Sequence, residues 1–183
     1  SAAGLAAVWA EENTRQSIYE AMMRTDVYAS SGPRIALRFF GGYGFKAGDS
    51  QAPDLASRGY DKGVPIAKDL PAAPRGRAPG FLIHAPKDPL EGNLDRIQVI
   101  KGWLDAKGET HEKVYDVAWS GDRKPGSHGK LPPVGNTVEL EKGSYTNDIG
   151  APMLATVWED PDFDPKQPAF YYARVLQIPT PRY

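Results

Sequence analysis

Seventeen prolines and nineteen glycines are spread through 183 residues, so about one position in five breaks a helix or forms a turn. Proline removes a backbone donor and glycine relaxes the backbone, so a chain this densely punctuated cannot sustain long helices. Short strands joined by irregular loops are the expected outcome. The hydrophobic fraction of 40% is ample for a core. The 22 basic and 23 acidic residues nearly cancel, and no basic stripe stands out. Phosphate-backbone affinity has no source in such a surface, so no nucleic-acid partner is expected. No apolar run approaches the ~18 residues that span a bilayer, so no membrane partner is expected either. Cysteine is absent, which excludes disulfides and thiolate zinc sites and leaves the compartment open.

One segment has helical spacing. Ile18, Ala21 and Met22 fall at i, i+3 and i+4 with Tyr19 beside them, after a capping-box-like start at Asn13 and Gln16. A helix is predicted over residues 14–25, with Arg24 in its last turn. Its stripe is short and needs a surface to lie on. Beyond Pro33 the period changes to two. Residues 34–40 alternate Ile35, Leu37 and Phe39 on one face, and Gly41-Gly42-Tyr43-Gly44 ends that strand. Residues 45–62 read as a long loop. Further strands are expected over 64–70 (an edge or a strand start, because of Pro65), 81–85, 95–103, 113–119, 136–140, 153–158 and 169–178. The pair 95–103 and 113–119 forms a hairpin around Ala106-Lys107-Gly108. The last strand, apolar on both faces, is expected to be central. The fold class is mainly β: an antiparallel β-sandwich-like domain of about eight strands preceded by one N-terminal helix.

Candidate chemistry is sparse. Of the three histidines, His111 and His128 lie in charged or Gly-rich loops. His84 closes an apolar strand and begins His84-Ala85-Pro86-Lys87-Asp88-Pro89, so His84, Lys87 and Asp88 are substrate-facing candidates, against the alternative of a strand-end hydrogen-bond cluster. Asp160, Asp162 and Asp164 resemble the opening of a calcium loop. Pro165 stands where a glycine is needed, however, and Tyr171 where a bidentate Glu is needed. No catalytic residue and no metal ligand is assigned within the chain. Trp103, Trp119 and Trp158 fall in strand patterns and read as core.

Several stretches together resemble one family. Gly4 to Arg15, followed by the helix and Val27 to Ile35, is similar to the junction after the catalytic barrel in relatives of the polymerase-and-histidinol-phosphatase (PHP) superfamily. Phe39-Phe40-Gly41-Gly42, Ala85 to Pro89, Ile100-Lys101-Gly102-Trp103, Trp158 to Phe163 and Ile178 to Arg182 resemble the bacterial domain-of-unknown-function 3604 family. The resemblance implies a longer parent whose upstream barrel holds a divalent metal (Mn, Zn or Fe) and hydrolyses a phosphoester or related ester of a small-molecule substrate. It implies that both ends are cut, that residues 1–33 carry the barrel's last helix, and that 34–183 form the β-sandwich-like domain. The chain itself would be non-catalytic and would support or shape the active site, its partner being the upstream barrel of the same polypeptide. Arg34, near the junction, would bind an anionic group of the substrate, with a surface salt bridge as the alternative. A stand-alone structural module, or a carbohydrate-binding one using Tyr43 and Tyr60, is the competing reading.

Overall fold

The computed structural model describes residues 4–127 and 129–181, so the expectation for His128 lies outside the described residues. In chain order the elements are β1 (Leu5–Val8), α1 (Arg15–Met23), β2 (Val27–Ser30), β3 (Arg38–Gly42), α2 (Leu55–Lys62), β4 (Gly63–Pro65), β5 (Gly80–Pro86), β6 (Leu94–Leu104), β7 (Thr110–Trp119), β8 (Met153–Glu159) and β9 (Ala169–Gln177). A 3-10 turn at Ala47–Gln51 precedes α2. The chain is mainly β, as expected, with sheets ordered β1-β2, β4-β3-β5-β8 and β7-β6-β9. It divides into two compact units, one reaching to His84 with Ala155–Asp164, the other holding Ala85–Leu154 and the chain from Pro165 onward.

In the first unit, α1 starts on Thr14, whose hydroxyl accepts from the Ser17 amide at 3.2 Å. The expected cap was Asn13; Gln16 instead donates to Glu20 one turn on. The helix ends in a Schellman arrangement, with the Thr25 amide donating to Met22 and the Asp26 amide to Ala21. Thr25 therefore sits at φ 64°, a position where glycine is usual. The turn brings Asp26 back beneath the helix, where it is almost fully buried. The β1–β2 pair on either side of α1 has no prediction behind it.

Strand β3 begins only at Arg38 and runs through Gly41 and Gly42, the residues expected to end it. Gly42 pairs with Gly63 on one side and Gly80 on the other. A Cβ on Gly42 would lie 2.6 Å from the Lys62 carbonyl, and one on Gly63 would lie 2.3 Å from that of Gly41. The glycines let the strands close up, and the Phe45 ring covers the bare backbone of both. Alternation along β3 and β5 sends Phe39 and Phe81 to one face, where Phe39 stacks on Phe81 at 5.3 Å and Phe81 on Trp158 at 5.8 Å between ring centroids. Phe40 and Leu82 go to the other face and pack with Leu55, Phe45 and Val157. Full burial of side chains this size contributes about 1.5–3 kcal/mol each.

Helix α2 and the 3-10 turn replace the expected long loop. Gly59, in mid-helix, presses on the Phe40 ring, where a Cβ would come within 2.4 Å of it. A stripe built partly from a glycine leaves no apolar periodicity to read. Strand β4 is short and lies at the sheet edge, as Pro65 requires.

In the second unit, β6 is central between β7 and β9, and Ile97 and Val99 are fully buried as expected. The β6–β7 hairpin forms as predicted, Gly108 taking φ 81° in its turn. Strand β9, expected to be central, is an edge: its aromatics Phe170 and Tyr172 stay largely exposed, Phe170 folding over Gly102. Residues 136–140 form no strand. The Asn136 side chain accepts from the Val138 amide, a local turn that competes with pairing. Only an isolated bridge joins Glu139 to Ser144.

Candidate polar site around Arg38

Four elements of the first unit bring polar side chains to one guanidinium. Arg38 opens β3, and its guanidinium carbon lies 3.7 Å from the centroid of the Trp9 ring, which follows β1. The indole is itself anchored, its N–H donating to the Leu37 carbonyl at 2.8 Å and its ring lying against Tyr28 of β2. Arg38 Nη1 donates to the Tyr60 hydroxyl of α2 at 3.2 Å. That hydroxyl donates in turn to Asp26 at 3.1 Å. Asp26 also takes an ion pair from Arg24 at 3.3 Å. The Phe40 ring, edge-on to Tyr60 at 5.0 Å, fixes the phenol. His84 of β5 is the registered partner of Arg38 across the sheet, so both project to the same face.

Charge follows from this geometry. Burial, and then the neighbouring Arg38 charge, push the His84 imidazole below its ordinary value, so it is neutral at neutral pH. Burial raises the Tyr28 phenol, which Arg38 partly offsets. Burial also raises Tyr60, with Asp26 adding to the effect. Among the described residues, Arg38 has no carboxylate within ion-pair distance.

The chain belongs to the DUF3604 family. The family model, described as a protein of unknown function, matches residues 1–183. No curated protein and no solved structure matches this family member.

The four sequence candidates part ways in this DUF3604 chain. His84 lies in the Arg38 cluster, and Arg34 is exposed four residues before the strand begins. Lys87 and Asp88 belong to the second unit and serve a local turn: Lys87 donates to the Glu91 carbonyl, and Asp88 accepts from the Leu90 amide at 3.0 Å. Sequence reasoning missed Arg38, Trp9 and Tyr28, and offered Tyr60 only as a carbohydrate contact. The available signal was Arg38 itself, the one charge inside the apolar run Ile35–Phe40.

Tyr43 and Tyr60 are both engaged internally, Tyr43 donating to the Pro71 carbonyl and Tyr60 as above. Asp160 is buried and accepts from the Asp162 amide at 2.9 Å, forming a turn. One trio of metal-type donors, Asp105, Glu109 and His111, gathers at the β6–β7 hairpin turn among the described residues. Asp105 Oδ1 already accepts from the Lys107 and Glu109 amides, and Oδ2 lies 3.0 Å from His111. Its His111 ring is stacked on Trp103. This is a turn held closed by its aspartate. Asp105 and His111 are thus engaged with each other and with the backbone of the turn.

Proposed function

We propose that this chain is the non-catalytic, C-terminal β-rich region of a PHP-like metal-dependent hydrolase and that α1 docks on that enzyme's upstream barrel. The observation that carries the reading is the outer face of α1. Tyr19, Met22 and Met23 are 58, 51 and 64% exposed on a nine-residue helix, and Leu5 of neighbouring β1 is 43% exposed. A helix this short is not stable alone, and an apolar face of this kind fits an occupant of matching chemistry. The barrel would supply the divalent metal and the water it activates. This region would hold the barrel and help shape the mouth of the active site.

The test compares the barrel-bearing polypeptide with this chain. The longer protein should hydrolyse a phosphoester or related ester with Mn²⁺ or Zn²⁺, whereas this chain should show neither turnover nor stoichiometric metal. Met22→Glu with Met23→Glu should leave this chain folded and lower the melting temperature of the longer protein. Metal-dependent turnover by this chain alone, or an unchanged melting temperature, contradicts the reading.

A further inference from the structure

We propose that Arg38, Trp9, Tyr60 and His84 form a binding site for a singly charged, planar carboxylate. Binding itself stands on the cluster alone; only the assignment of that carboxylate to a hydrolase substrate rests on the reading above.

The argument is one of charge and shape. Stacking on Trp9 covers a face of the guanidinium and leaves its N–H edges in the plane, the arrangement that grips two carboxylate oxygens at once. Tyr60 takes one donor of Nη1 and holds the group in place. The described groups around Arg38 are Trp9, Asp26 with Arg24, Tyr28, Tyr60 and His84. Arg24 balances Asp26, and the two phenols and the imidazole are uncharged at neutral pH. Among these described groups one positive charge, that of Arg38, is left over. A phosphate monoester brings about −1.5 to −2 at neutral pH, and its surplus would lie close to Asp26. A carboxylate matches both the single charge and the flat fork.

The chain as it stands is the material for the test. Nitrogen-15 NMR at neutral pH and matched ionic strength follows the Arg38 Nε–H and the Trp9 indole N–H during titration with sodium acetate and, separately, with inorganic phosphate. Acetate should shift both signals saturably, and phosphate should bind at least roughly tenfold more weakly. Arg38→Lys keeps the charge and loses the fork, so acetate affinity should fall roughly tenfold while spectral dispersion is kept. If Arg38→Lys does not fold, Trp9→Leu removes the stack and should weaken acetate severalfold. Phosphate binding as tightly as acetate overturns the carboxylate assignment and leaves the docking reading untouched. No saturable shift with either anion, or an Arg38→Lys protein that titrates like the parent, overturns the site itself.

Discussion

Two arginine clusters, one in each unit, use the same chemistry to opposite ends. In the second unit, Arg123 spends its donors on the carbonyls of Asp95, Ser120 and Pro132 and lies 2.7 Å from the Asp95 carboxylate. Arg96 pairs with Asp95 at 2.9 Å and reaches Asp116 at 3.6 Å, with all four side chains largely buried. Charges there cancel within the cluster, which ties β6, β7 and the following loop together. Around Arg38 the cation is held by an aromatic face and a phenol, and among the described residues no carboxylate pairs with it. A charge-balanced cluster holds a fold together. One left with a surplus charge is equipped to meet something else.

The contrast can be broken from either side. The largest effect is expected at Asp95→Ala, which strands two buried guanidinium groups and should cost about 3–5 kcal/mol in urea unfolding. A loss below about 1 kcal/mol would show that Arg96 and Arg123 do not depend on it. A second buried, ion-paired acid, Asp49, tests the same logic through pH. It receives Lys62 Nζ at 2.7 Å, the Lys46 amide at 2.8 Å and Arg58 at 3.0 Å. The hydrogen bond from Lys62, then that from the Lys46 backbone, holds its carboxyl far below the ordinary range. A depressed folded-state value means that the stabilisation is complete above the unfolded carboxylate value of about 4 and fades as acid approaches the folded one. Asp49→Asn should therefore cost about 2 kcal/mol near neutrality and flatten the acid limb of the stability profile below about pH 4. A parallel profile for both proteins would contradict this. The smallest effect is expected at Arg38→Met, which should change stability by less than about 1 kcal/mol in the same unfolding measurement. A loss comparable to that at Asp95 would make Arg38 another structural cation.

Much of the fold could be read from local chemistry. The β6–β7 hairpin follows from alternating Ile97, Val99, Tyr115 and Val117 around a Gly-containing turn, and the edge position of β4 from Pro65. Elements whose signal lies in what is missing escaped. Helix α2 packs through Gly59, which no hydrophobic pattern records, and β3 extends through Gly41 and Gly42 because they carry no side chain. Strand β9 has the composition of a central strand, yet composition does not say which strand finds two neighbours. The polar site was half visible. His84 stood out at the end of its strand, but its partner is Arg38, through a cross-strand register that only folding sets. Trp9, Tyr28 and Tyr60 arrive from distant stretches of chain, a convergence that spacing cannot encode.

The pairing of Gly63 with Gly42 under the Phe45 ring has a consequence for how this family can vary. Enlarging Gly42 or Gly63 first would collide with a ring or a carbonyl, and trimming Phe45 first would uncover peptide groups with nothing to shelter them. Divergence at this corner must proceed by coupled substitutions, so a homologue that lacks the aromatic should also have refilled the glycine positions.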